Sequence, residues 1–226
     1  MRPVSFSQKL INRFGKNKIQ NIKAIVYDRD ATINIPHPGI AGTKNTGYVT
    51  TPEEFKLMPN AGEGLQKAFQ AGYQLHIFTQ QKGIGKNLIN EQDLHRIHRH
   101  MRKILQQKFQ TSLGSVVFCP HIKIKINDTL DYPCDCVKPR PGLLLDILKH
   151  HNLNADEVLV IGDSDRDIPH HTLQEQGMIF VAVPNPEASV KKGKLNKKSW
   201  EKAPFNQLCA NDLLEISTAM SEIKKE

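Results

Sequence analysis

The chain has 226 residues, 38% of them hydrophobic and 24% charged, which excludes a disordered polymer and suits one well-buried core. No apolar run approaches the roughly 20 residues that span a bilayer, and the opening MRPVSFSQKLINRFGKNK lacks an apolar core of signal-peptide length, so a cytoplasmic protein with no membrane partner is expected. A formal net charge of +8 favours phosphorylated partners, from a small metabolite to nucleic acid, without choosing between them.

Residues 1–22 are basic and weakly periodic and read as an N-terminal arm. The run Lys23 to Tyr27 ends at Asp28 and predicts a buried strand. A long loop follows, broken by Pro36, Pro38, Gly39, Gly42 and Gly47. Asn60 and Glu63 form a capping-box pattern for a helix that carries Leu65, Ala68 and Phe69 and stops at Gly72. A strand from Tyr73 to Phe78 leads to Thr79. The stripe Leu94, Ile97, Met101, Ile104 and Leu105 predicts a helix over 91–109. A third strand, Ser115 to Phe118, ends at Cys119, and an irregular segment reaches Pro141. A helix over 142–151, the strand Val158 to Ile161 before Gly162-Asp163, a further helix and the strand Met178 to Val183 complete a domain over 23–188. Residues 189–226 read as a basic tail with a short helix. Its lysine-rich stretch 189–202 is taken as a solvated loop, with Trp200 docking it on the body. Strands alternating with helices imply an α/β fold, a parallel sheet with helices on both faces.

The residues that carry chemistry stand just past the carboxyl ends of the strands, where open α/β sheets bind ligands. Asp28 and Asp30, two apart on a tight turn, can converge on one hard cation such as magnesium. One of them can act as nucleophile and the other as general acid and base. The Thr79 hydroxyl can hold a phosphate oxygen, the Lys138 ammonium can neutralise phosphate and nucleophile together, and Asp163 offers the metal a further carboxylate.

In this order Asp28/Asp30, Thr79, Lys138 and Asp163 resemble the four motifs of the haloacid-dehalogenase superfamily over about residues 23–185. The resemblance implies a Rossmann-like fold without a large cap domain, so that short loops choose the substrate. It implies an aspartyl-phosphate on Asp28, Asp30 as acid and then base, and magnesium on Asp28, the Asp30 carbonyl and Asp163, with Asp167 behind. Two positions depart from the pattern: Ala31 replaces the usual glycine, and Gln80 replaces an asparagine. Gln80, Gln81, Arg140 and Asp167 are candidate substrate contacts.

Cys119 and His121, then Cys134 and Cys136 after a gap of twelve residues, make a full tetrahedral zinc set in a loop over 119–136. A closed set is structural, and Cys136 lies two residues before Lys138, so zinc would aim the lysine. Cys209 reads as an unrelated thiol. These pairs resemble the branch that holds heptose-bisphosphate and histidinol-phosphate phosphatases. A monomer acting on a small phosphorylated metabolite is expected, a sugar phosphate such as a heptose bisphosphate first and histidinol phosphate second. Nucleic-acid 3′-phosphatases resemble this branch but generally lack the zinc set, which disfavours nucleic acid. Where the branch typically has arginine the chain has Val137, so a weaker grip on a second anionic group is expected, with Val137→Arg improving it unless Arg140 reaches inward. The histidines His95, His98 and His100 read as part of a solvated basic helix face, with His98 nearest the apolar side.

Overall fold

The structure, a computed structural model, describes residues 4–39, 47–126, 129–184 and 207–225. The lysine-rich stretch 189–202 and Trp200 lie outside the described residues. In chain order the elements are α1 (Phe6–Phe14), α2 (Lys16–Gln20), β1 (Ala24–Tyr27), α3 (Ala61–Gln70), β2 (Gln74–Gln80), α4 (Lys82–Gly85), α5 (Glu91–Phe109), β3 (Val116–Cys119), β4 (Ile124–Ile126), β5 (Thr129–Asp131), α6 (Gly142–His151), β6 (Val158–Gly162), α7 (His171–Glu175), β7 (Ile179–Ala182) and α8 (Leu213–Lys225).

Five strands form one parallel sheet in the order β3-β2-β1-β6-β7, with Val26 opposite His76 on one side and Val160 on the other. Strands buried on both faces need continuous apolar runs, which AIVY, VLVI and IFVA supply. Successive side chains point to opposite faces. Ile25 and Tyr27 therefore join a core with α1, α3, α5 and α8, while Ala24 and Val26 join a second core with α6 and α7. All five strands run the same way, so Asp28, Thr79, Cys119 and Asp163 emerge at one edge of the sheet. The segment expected to be irregular before Pro141 contains the antiparallel hairpin β4–β5. Among the described residues no helix is long and apolar enough to cross a membrane.

The basic N-terminal arm and the short helix of the C-terminal tail both pack on the body. Ser5 caps α1 by accepting from the Gln8 amide, and Phe6, Leu10, Ile19 and Ile22 are buried. Phe6, Leu10 and Phe14 recur at helical spacing, but the lysines and asparagines between them dilute the signal. α8 buries Leu213, Ile216, Ala219, Met220 and Ile223, and both N-terminal helices pack on it. α8 also lies against α3 so closely that a Cβ on Gly64 would stand 2.7 Å from the Leu213 carbonyl carbon. Asn60 does not cap α3 as expected. It sits in the left-handed region at φ 60°, and its side chain donates to Asp212 Oδ2 at 2.8 Å.

Leu10→Ala is expected to lower the unfolding free energy by about 2–5 kcal/mol in urea denaturation, the usual cost of a large-to-small change in a core. A solvated arm would give a change within roughly 0.5 kcal/mol.

Candidate active site

β1 hands the chain to the site at Asp28, whose amide still bonds the Ile161 carbonyl at 2.8 Å. The backbone then folds on itself, the amides of Ile33 and Asn34 donating to the Arg29 carbonyl at 2.8 and 3.0 Å. Ala31 takes φ 70°, a region where glycine is easier, so this turn is held at some strain.

Lys138 lies at the centre, its side chain 4% exposed. Its ammonium donates to Asp28 Oδ1 at 2.5 Å and Asp167 Oδ1 at 2.8 Å, and sits 3.5 Å from the Phe78 ring centroid. Asp167 folds back beneath Gly162, where a Cβ would stand 2.4 Å from the Asp167 Cβ, and its other oxygen accepts from the Ser164 amide at 2.9 Å. Asp28, Asp163 and Asp167 each offer a carboxylate oxygen within 4.8 Å of the others. Three buried carboxylates around one ammonium leave a surplus of negative charge. Burial pushes the Asp28 carboxyl up to about 7; Lys138 pulls it down, and Asp167 and Asp30 add to the rise. Burial acts to lower the Lys138 ammonium, but the charges of Asp167 and Asp28 outweigh it and hold it above the ordinary range. The surplus suits a divalent cation, and all-oxygen donors suit magnesium.

Asp30 is placed differently. Arg29 bonds its carboxylate through Nη2 at 2.8 and 3.0 Å, Asn34 Nδ2 donates at 3.0 Å, and Gln81 Nε2 at 2.8 Å. Burial acts to raise this carboxyl, yet Arg29 and these donors hold it below the usual range. The same Gln81 amide donates to Thr79 Oγ1 at 2.8 Å, so Gln81 ties β2 to the Asp28 loop. Gln80 Nε2 is buried and has no hydrogen-bond partner.

Arg140 does not reach inward. Its guanidinium grips both oxygens of Asp131 at 2.8 and 2.9 Å and the carbonyls of Tyr132 and Cys134 at 3.2 and 2.8 Å, bracing the loop below β5. Val137 is 3% exposed and packs in the second core. An arginine there would enter that core, so the gain expected of Val137→Arg is withdrawn.

Arg29 and His98 were not legible as site residues. Arg29 is fully buried, and its Nη1 lies 3.2 Å from His98 Nε2. Burial, then the Arg29 charge, push His98 down to about 3, so a neutral imidazole accepts from the guanidinium. His98 is thus a buried support for Arg29 rather than part of a solvated face. Its position on the apolar stripe of α5 was the available signal. His95 is exposed, as expected.

Cys119, His121, Cys134 and Cys136 bring one donor atom each within 4.8 Å of the rest. The sulfurs of Cys119 and Cys134 are 3.8 Å apart, and His121 Nδ1 lies 3.7 Å from Cys119 Sγ and 3.3 Å from Cys136 Sγ. Tetrahedral zinc–sulfur bonds of about 2.3 Å place sulfurs about 3.8 Å apart, so the set fits that ion. Burial and the neighbouring sulfurs push the Cys136 thiol up, a penalty on thiolates that a bound cation reverses. Cys209 is buried outside this set, its thiol donating to the Ala210 carbonyl at 3.4 Å.

The parallel sheet is shared with solved phosphatases of the haloacid-dehalogenase type, a likeness of fold, and the family model and curated relatives that match the chain make it a phosphoric monoester hydrolase. The chain belongs to the polynucleotide kinase 3 phosphatase family, whose model matches residues 23–202. A D-glycero-beta-D-manno-heptose-1,7-bisphosphate 7-phosphatase of Photorhabdus laumondii is 29% identical over 206 residues, covering 91% of this chain and 99% of that protein. The protein of the same name from Rhodopseudomonas palustris is 32% identical over 145 residues, covering 64% and 75%. The crystal structure of a D,D-heptose 1,7-bisphosphate phosphatase from B. bronchiseptica, complexed with magnesium and phosphate, superposes with a TM-score of 0.67. It is 23% identical and covers 89% of this chain and 99% of that one, a likeness of fold.

The buried His98 has a consequence for stability against pH. Its folded value of about 3 lies below its ordinary 6.5, so the unfolded chain takes the proton first as pH falls. Stability is therefore lost on acidification from 6.5 downward, by about 1.4 kcal/mol per pH unit for this group. His98→Gln is expected to make the urea-derived stability profile between pH 6.5 and 4.5 shallower by about that slope.

Proposed function

We propose that the protein is a magnesium-dependent phosphatase that works through an aspartyl-phosphate on Asp28 and takes a small sugar bisphosphate. The observation that carries this reading is the Lys138 ammonium shared by Asp28 and Asp167, beside Asp163, at the carboxyl edge of the sheet. An unprotonated Asp28 oxygen held by an ammonium is aimed and charge-balanced for attack on phosphorus.

In the first half-reaction an Asp28 oxygen forms a bond to phosphorus, and the bond from phosphorus to the leaving oxygen breaks. Asp30 gives its proton to that oxygen. In the second half a water attacks phosphorus, Asp30 takes the water's proton, and Asp28 leaves as a carboxylate. The proton Asp30 gains is the one it donates to the next substrate. Its bonds from Arg29, Asn34 and Gln81 favour the carboxylate, the form that acts as base. Thr79 holds a phosphate oxygen, and Lys138 keeps the approaching phosphate and Asp28 from repelling each other. Asp28, Asp163 and the Asp30 backbone carbonyl, with Asp167 alongside, would hold magnesium, which when bound offsets the surplus negative charge. Cys119, His121, Cys134 and Cys136 would hold a structural zinc that fixes the loop leading to Lys138.

The names of the curated relatives support a sugar bisphosphate. The name of the matching family model and the net charge of +8 support a second reading, a nucleic-acid 3′-phosphatase. Phosphate release from a heptose bisphosphate, histidinol phosphate and a 3′-phosphorylated oligonucleotide separates these readings; fastest release from the oligonucleotide would reverse the order. Asp28→Asn is expected to abolish release from every substrate while leaving the circular dichroism spectrum intact, and retained turnover would remove the nucleophile assignment.

Elemental analysis of protein purified without chelator is expected to find one zinc per chain. Stripping it should raise the protease sensitivity of residues 119–138 while the sheet stays folded, because the first core contains no residue of the set. Zinc-free protein with full activity would contradict the structural role.

A further inference from the structure

Arg140 is committed to Asp131, and Val137 is packed in the core, so neither can grip the far end of a substrate. Three loops supply cations at the carboxyl edge instead. α4 begins one residue after Gln81, the residue that touches Asp30, and its Lys82 ammonium lies 5.0 Å from the Tyr132 ring centroid. Lys123, on the approach to the β4–β5 hairpin, lies 5.7 Å from the same ring. Lys86 lies 5.1 Å from the ring of Tyr48 in the loop after β1.

The packing that gathers these loops is close. A Cβ on Gly83 would stand 3.3 Å from the Tyr48 ring, and one on Gly85 would stand 2.7 Å from the Pro120 carbonyl oxygen. Tyr132 belongs to the segment that runs through Cys134 and Cys136 to Lys138, so the ring that gathers Lys82 and Lys123 is held by the same loop as the central lysine. Among the described residues, Lys82, Lys86 and Lys123 form no salt bridge; Asp131 feels the Lys123 charge, but both of its oxygens are taken by Arg140. Ammonium groups gathered by aromatic faces, with no carboxylate bonded to them, attract an anion.

We propose that Lys82 and Lys123 around Tyr132, with Lys86 on Tyr48 beside them, form a second anion subsite that takes the phosphate at the far end of the substrate. This rests on the reading of the Asp28 site as a sugar bisphosphatase. The subsite selects molecules with two phosphates over those with one, and it takes the place of the arginine that Val137 replaces.

The test compares kcat/KM for a heptose 1,7-bisphosphate with kcat/KM for the same heptose 7-phosphate, which differ only in the far phosphate. In Lys82→Gln/Lys123→Gln the ratio of the two constants is expected to fall about tenfold or more, equivalent to about 1.4 kcal/mol. Lys123→Glu alone, which lies on the exposed side of the rim, covers the case in which the double variant folds poorly and should lower the ratio as well. A ratio within threefold of the unaltered protein in both variants overturns the subsite while the phosphatase reading stands. No phosphate release from the bisphosphate by the unaltered protein, with p-nitrophenyl phosphate still hydrolysed, overturns the substrate reading and the subsite together.

Discussion

One buried ammonium organises this molecule. Lys138 is almost without solvent and is shared by Asp28 and Asp167, so its charge is balanced only while both carboxylates stay in place. Removing one partner of such a group leaves a buried charge uncompensated, at a cost of about 3–5 kcal/mol. The surrounding features each deliver one member of the group. β1 ends at Asp28, Gly162 leaves room for Asp167 to fold back, and the cysteine and histidine loop delivers Lys138. The carboxylates outnumber the ammonium, and that imbalance makes a divalent cation the natural complement of the site.

Asp30 shows the opposite arrangement a few ångströms along the chain. It is wrapped by donors from Arg29, Asn34 and Gln81, while Asp28 faces other carboxylates. Environments that push two neighbouring acids in opposite directions suit two different roles. Arg29 sets this division, and it is itself supported by a histidine that burial keeps neutral.

The sheet was legible because a strand buried on both faces must be apolar throughout, and AIVY, VLVI and IFVA leave few alternatives. The pairs Cys119/His121 and Cys134/Cys136, which the structure brings together, were legible because their spacing is written directly into the chain. Features that depend on partners distant in sequence were hidden. Asn60 fits a cap by residue type but is drawn to Asp212. Arg140 looks like a substrate grip until Asp131 and two carbonyls occupy it. The helices at the two ends looked like basic tails because each needs the other to bury its apolar side. The Arg29–His98 contact joins residues 69 positions apart, and no local pattern announces it.

The central claim is that Asp28 becomes covalently phosphorylated. Rapid acid quench during turnover, followed by reduction with tritiated borohydride and peptide mapping, tests it directly. The account predicts label in the peptide that contains Asp28 and conversion of that residue to homoserine. Turnover with no trapped label, or label on another residue, would contradict it.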